Sequence, residues 1–210
     1  MSEEKTSGAS QGLAPSWRMQ EVAALAGGRL SRMDAGDLRF SYDRINTDSR
    51  RLHAGDFFVA LRGERHDAHD FLPAVEAAGA LGALVDRPLV PSRLAQIVVE
   101  DALAGWQRWS AGHRARFPDL PLLALTGSSG KTTSKDLVAH LLAGSGPVWA
   151  TPGNLNNHVG VPWTLLGLAE GHAHAVVELG MNHPGEIARL SRLVAPGAAP
   201  AAMAALAAAP

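Results

Sequence analysis

Leu122-Leu123-Ala124-Leu125-Thr126-Gly127-Ser128-Ser129-Gly130-Lys131-Thr132-Thr133 passes from an apolar run through a glycine- and serine-rich turn into a lysine and two threonines. The apolar run predicts a buried strand, and KTTSKDLVAHLLAG, residues 131–144, predicts a helix. A strand, a glycine-rich turn and a helix in that order bring backbone N–H groups and the positive end of a helix to one spot, which suits a phosphate. Gly127 and Gly130 permit backbone angles that other residues resist and let the amides of the turn, Ser128 and Ser129 included, approach phosphate oxygens. Lys131 offers a point charge to the β- and γ-phosphates, and the Thr132 hydroxyl is a hard oxygen ligand suited to Mg²⁺. The strict form of this loop has glycine at position 125, where this chain has leucine. The short form TGSSGKTT still points to a nucleoside triphosphate, and it leaves the reaction open.

Downstream, PVWAT (147–151) reads as a short strand, PWTLLGLAE (162–170) as a helix, AHAVVELG (173–180) as a strand and PGEIARLSRLV (184–194) as a helix. Strands alternating with helices predict a parallel sheet with right-handed crossovers. Between them, TPGNLNNHVGVP (151–162) is dense in amide side chains. Asn154, Asn156 and Asn157 suit phosphate, sugar or amide ligands, or equally a connector built of Asx turns. Glu178 is placed at the C-terminal end of a strand, where open α/β sheets put ligand groups. A carboxylate there could reach the same Mg²⁺ as Thr132; the other reading is a surface carboxylate near a turn.

Upstream, Pro118 and Pro121 bracket a boundary. WRMQEVAALAGG (17–28) has helical spacing and stops at Gly27-Gly28. Residues 44–47 and 56–61 read as strands, 67–80 as a helix, 83–85 and 96–99 as strands. DALAGWQRWSAGHRARF (101–117) reads as a long helix, with Asp101 as its N-cap and Trp106 and Trp109 on one face. The predicted organisation is a flexible tail over 1–16, a small α/β domain over 17–118, a partial P-loop domain with a parallel sheet over 119–195, and an Ala/Pro-rich tail over 196–210 that reads as non-native sequence after a domain cut short or, alternatively, as a low-complexity tail.

Composition narrows the function. The chain has 210 residues, 19 Lys plus Arg against 20 Asp plus Glu, a net charge of −1 and no cysteine. That excludes disulfides, thiolate metal sites and a cysteine nucleophile, and gives no basic footprint for nucleic acid. No apolar run approaches the roughly 18 residues of a membrane span, and the N-terminus lacks the pattern of a signal peptide, so a soluble, cytoplasmic protein is expected. His66, His69 and His158 match no compact metal-site spacing.

Taken together, TGSSGKTT, GNLNNHVGVPWTLL (153–166) and ELGMNHPGEI (178–187) resemble the Mur ligases, ATP-dependent amide-forming enzymes of peptidoglycan precursor synthesis. They are most like the members that add D-alanyl-D-alanine to UDP-N-acetylmuramoyl-tripeptide. The segment from Thr47 to Phe71, TDSRRLHAGDFFVALRGERHDAHDF, resembles the family's UDP-sugar-binding N-terminal domain. Members that add the third stem residue share the TDSR feature but have an Asn-Gly-Lys phosphate loop. The folylpolyglutamate type of the superfamily lacks the TDSR region.

The resemblance implies that ATP activates the terminal carboxylate of the UDP-linked peptide as an acyl phosphate, which the amine of the dipeptide then attacks. It implies ATP binding by Gly127, Ser128, Ser129, Gly130, Lys131, Thr132 and Thr133, with Asn182 and His183 near the nucleotide. Lys131 and Glu178 would be catalytic, and Thr132 and Glu178 would hold Mg²⁺. Thr47, Asp48, Ser49 and Arg50 would meet the UDP-sugar, and Gly63, Glu64, Arg65, His69 and Asp70 would shape the peptide pocket. Asn154, Asn156 and Asn157 would line the way between phosphate and substrate. The family pattern then continues with an Asn-rich strand, a downstream His, a carbamylated Lys and a C-terminal domain for the amino substrate, none of which has a counterpart here. Little or no ligase activity is therefore expected of these 210 residues alone. The alternative from a different class is a non-catalytic remnant that binds nucleotide or UDP-sugar, which turnover measured against binding would distinguish. Nothing in the sequence fixes an oligomeric state.

Overall fold

The computed structural model of the chain describes residues 14–63 and 66–194. The C-terminal tail expected over 196–210, nearly all of the N-terminal tail, and the candidate residues Glu64 and Arg65 lie outside the described residues.

The first half begins with β1 (Ser16–Arg18), α1 (Met19–Ala26), β2 (Arg29–Leu30), β3 (Arg39–Ser41), β4 (Ile45–Asn46) and β5 (Phe57–Val59). α2 (Leu72–Ala77), β6 (Gly82–Val85), β7 (Ala95–Val98) and α3 (Ala102–Arg114) complete it. Its main sheet has the order β2-β7-β6-β5-β4, parallel throughout except for β2 at one edge. Every residue of β5 and β6 is buried, as strands covered on both faces require. Alternate side chains part to the two faces. Phe57, Val59, Leu84 and Ile97 pack with α1, Trp106 and Trp109 of α3, while Phe58, Ala60, Ala83 and Val85 pack with Leu72 and Val75 of α2.

The second half contains β8 (Leu122–Leu125), α4 (Lys131–Leu142), β9 (Val148–Ala150), α5 (Gly160–Leu166), β10 (His174–Glu178) and α6 (Glu186–Val194). Its three strands have the order β8-β10-β9 and are all parallel. This is the mixed α/β class with parallel sheets that the alternation of strand and helix implies. Among the described residues, no sheet contains strands from both sides of Pro118. The halves meet instead through α3. Its Trp106 ring packs edge-on to Trp163 of α5 and its indole N–H donates to Val159 O at 3.0 Å. Leu166 of α5 belongs to the core of the first half.

The structure differs from the local reading in a few places. Trp17 is in a strand and not in the helix that its spacing suggests: it pairs with Phe40, and its buried indole meets Trp109 edge-on at 5.2 Å. Burial of that ring in the aromatic core outweighs local periodicity, so α1 starts at Met19. The helix read over 67–80 is a 3₁₀ turn, Ala68–Phe71, followed by the shorter α2, with Asp67 accepting from the His69 amide at the start. The helix read over 162–170 begins earlier, at Gly160, and ends at Leu166. Strands β2 and β3 have no signal of their own in the sequence. Asp101 does cap α3, accepting from Ala104 N at 2.6 Å.

His113 of α3 ties the halves together. Its Nδ1 accepts from Trp17 Nε1 at 3.3 Å and its Nε2 donates to Leu168 O at 2.9 Å, an arrangement open only to the neutral ring. Burial pushes its imidazole below the ordinary 6.5, and burial moves His172 the same way. The unfolded chain thus takes up protons at a higher pH than the folded one. The stabilisation is fully present above the ordinary value and is lost as pH falls below it toward the folded value. Denaturant midpoints measured from about pH 8 down to about pH 5 should fall, and His113→Gln should flatten part of that fall. An unchanged slope in the variant would place the effect elsewhere.

Candidate functional site

The parallel pairing of β8 with β10 puts Leu125 opposite Glu178. The turn after Leu125 and the carboxylate of Glu178 therefore lie at the same end of the sheet. Gly130 closes the turn in the left-handed region, φ 70°, and its missing Cβ would meet nothing within 4 Å, so its backbone angle and not space favours glycine there. Ser128, Ser129, Gly130, Thr132 and Thr133 are exposed. Lys131 begins α4 and folds back over the turn, donating from Nζ to Gly127 O at 2.9 Å.

Glu178 is almost wholly buried, at 1% exposed. Its Oε2 accepts from the Thr132 hydroxyl at 3.1 Å and its Oε1 from Asn156 Nδ2 at 2.8 Å. Among the described residues no lysine, arginine or histidine forms an ion pair with it. A buried carboxylate held by two neutral donors has the chemistry of a group that a cation satisfies. Gly180 is placed against Asn156, where a Cβ would sit 2.8 Å from its Oδ1.

The other amide candidates make different contacts. Asn157 Oδ1 accepts from Val159 N at 3.1 Å and Gly160 N at 2.8 Å, which closes the first turn of α5 as an N-cap does. Asn154 is exposed, and its carbonyl accepts from Asn156 N in the turn. The amides of Asn182 and His183 donate to Glu186 Oε2 at 2.7 and 3.2 Å, and those bonds hold the Glu186 carboxyl below its ordinary range. Both side chains are exposed, and among the described residues no hydrogen bond links them to the phosphate loop.

Thr47, Asp48, Ser49, Arg50 and Gly63 line one cavity of about 680 Å³, a size typical of small-molecule sites. Asp48 accepts from Arg50 Nε at 2.9 Å and Nη2 at 2.8 Å, and this guanidinium holds the Asp48 carboxyl down to about 2. The apolar wall comes from Phe58, Leu61, Phe71 and Ala74, with Arg62 and His66 alongside and Val159 from the second half. None of the apolar members is a candidate from the sequence: Phe58 and Leu61 read as ordinary strand residues, and Phe71 and Ala74 as part of the helix read over 67–80.

His69 and Asp70 are not among the residues lining that cavity. The His69 side chain is fully buried, with Nδ1 donating to Asp67 at 2.6 Å and Nε2 accepting from Asp86 N at 3.1 Å. Burial raises the Asp67 carboxyl, but the two bonds from His69 outweigh it and the net shift is downward. Asp70 pairs with Arg87 at 2.7 Å. A smaller cavity of about 420 Å³, between His113, Phe117 and Leu168, carries none of the sequence motifs. Among the described residues there is no cluster of three or more His, Asp or Glu suited to a metal, and no helix long and apolar enough to cross a membrane.

Residues 125–201 match the Mur ligase middle domain, a match that runs beyond Ala195. The chain is 44% identical over 162 residues to the UDP-N-acetylmuramoyl-tripeptide–D-alanyl-D-alanine ligase of Synechocystis, covering 76% of this chain and 35% of that protein. The enzyme of the same name from Escherichia coli is 47% identical over 157 residues, covering 75% of this chain and 34% of the relative. Among solved structures, the corresponding ligase of Acinetobacter baumannii superposes with a TM-score of 0.81 at 41% identity, covering 89% of this chain and 41% of that one. MurF ligase from Thermotoga maritima in complex with ADP superposes with a TM-score of 0.65 at 33% identity, covering 73% and 35%. The chain spans about a third of the length of the curated relatives it matches.

Asn157→Ala should lower stability by about 1 kcal/mol, the usual cost of losing an N-cap, while nucleotide affinity stays within error. Denaturant unfolding and calorimetry check both halves of that expectation.

Proposed function

We propose that this chain, which belongs to the Mur ligase family, binds ATP and a UDP-linked muramoyl peptide as part of a ligase that adds D-alanyl-D-alanine to UDP-N-acetylmuramoyl-tripeptide. The observation that carries this reading is the buried Glu178 carboxylate beside Thr132 at the mouth of the TGSSGKTT turn. The amides of Gly127 to Thr133 would receive the phosphates. Lys131 Nζ now rests on a neutral carbonyl, and exchanging it for phosphate oxygens replaces that bond with a stronger charge-assisted one.

The hard oxygen donors of a threonine hydroxyl and a buried carboxylate fit Mg²⁺, which Thr132 and Glu178 would hold. When bound, the ion supplies neutralisation of charge on the phosphate oxygens. Asn156 would keep Glu178 turned toward that place. Asn182 and His183 would act at the nucleotide through the turn that Glu186 fixes.

The cavity at Thr47 to Arg50 would take the UDP-sugar, with Gly63 and its neighbours Glu64 and Arg65 at the peptide end. His69 and Asp70 would serve that end indirectly, by holding the segment in shape. Asn154 would lie on the path from phosphate to peptide. The chemistry of the whole ligase is an acyl phosphate formed on the peptide carboxylate by ATP, then attacked by the dipeptide amine. Positioning and charge neutralisation supply most of its rate. ATP and a nucleotide-linked substrate, as proposed, support a cytoplasmic location for the protein.

Lys131→Ala should weaken MgATP binding about 10- to 100-fold in calorimetry, because a hydrogen bond to a charged group contributes about 1.5–3 kcal/mol. The fold should survive, since the side chain bonds only to the turn. An unchanged affinity would refute the nucleotide reading.

A further inference from the structure

Lys135 lies on α4 one turn beyond Lys131, and only 5% of it is exposed. A lysine is seldom buried this far unless its ammonium is satisfied. Its Nζ donates to Thr151 O at 3.0 Å and meets the exposed carboxylate of Asp136 at 3.1 Å. Thr151 follows β9 directly and is itself 1% exposed. Its hydroxyl oxygen accepts from the backbone N–H of Glu178 at 2.8 Å, and its own N–H donates to Val176 O at 3.0 Å. A continuous path of bonds therefore runs from the phosphate-loop helix through the end of β9 to the backbone of Glu178.

We infer that Lys135 and Thr151 are positioning residues for Glu178, setting the height of its carboxylate relative to Thr132. The inference rests on Glu178 being a ligand of Mg²⁺. The logic is that of an outer shell around a metal site: the side chain of Glu178 is steered by Thr132 and Asn156, but where it starts from is fixed by its backbone. β9 ends at Ala150, so the β9 ladder stops at Val176 and leaves Glu178 beyond it, and Thr151 Oγ1 takes the place of a strand partner there. Lys135 in turn fixes the Thr151 carbonyl from the opposite side, which locks the residue between two elements. Outer-shell partners of metal ligands typically carry 10- to 100-fold in metal affinity.

The test is the ratio of ATP affinity in Mg²⁺ to that in EDTA, measured by calorimetry on the full chain. Thr151→Ala should lower the ratio about tenfold or more while leaving the affinity in EDTA unchanged, and Thr151→Ser should restore it. Lys135→Gln should lower the ratio in the same direction, and it keeps the threonine hydroxyl should Thr151→Ala fail to fold. A loss of affinity equal in Mg²⁺ and in EDTA would show that these residues act only as structural support or as charge, and would overturn the inference. Glu178→Gln separates the two levels. If it leaves the ratio unchanged, the assignment of Glu178 to the metal fails; if it abolishes the ratio while Thr151→Ala and Lys135→Gln do not, only the positioning role fails.

Discussion

The end of the second sheet that carries the TGSSGKTT turn depends on the parallel pairing of β8 and β10. That pairing sets Leu125 against Glu178, and Leu179 N continues it to Leu125 O at 2.7 Å. A shift of one residue would turn Glu178 to the other face of the sheet, because strand side chains alternate. Burial on both faces resists such a shift: Ala175 and Val177 face Leu165 and Leu190 in the second core. The apolar core thus fixes where a charged group emerges. The turn, Thr132 and Asn156 then converge on a place that the sheet has already chosen.

The connection from Thr151 to Gly160 serves both sites. At its start Thr151 holds the backbone of Glu178, and in its middle Asn156 holds the side chain. At its end Val159 forms part of the cavity that contains Thr47 to Arg50. Helix α3 anchors this end from the first half, with Trp106 donating to Val159 O and Gln107 to His158 O at 3.1 Å. A ligand pressing on Val159 and a ligand at Glu178 therefore act on one short segment fixed at both ends. That is a physical basis for coupling between the halves without a shared sheet.

The strand, turn and helix around TGSSGKTT are legible in the sequence, because a glycine-rich turn between a strand and a helix is a local pattern with a local cause. The end-of-strand place of Glu178 is legible for the same reason, and so is the cap at Asp101. The roles of the asparagines are not. Asn156 and Asn157 are neighbours of the same type, yet one bonds to Glu178 and the other caps α5, a division decided by where the helix starts. His69 is a candidate through the resemblance of its segment, and the burial of its ring comes from tertiary packing that no local pattern shows. Phe58, Phe71 and Val159 meet at the cavity from three separate segments, which no local spacing reveals. Lys135 lies in a helix that the sequence predicts, but its contact with the end of β9 comes from tertiary packing.

Titration of the isotope-labelled chain with MgADP, followed by backbone NMR, tests the convergence of these elements most directly. Saturable shifts at the amides of Gly127 to Thr133, together with Asn156 and Glu178, are the predicted result. Saturable binding that moves none of these amides, or movement of the turn alone with Asn156 and Glu178 unaffected, would contradict a single site built from the turn and the end of β10.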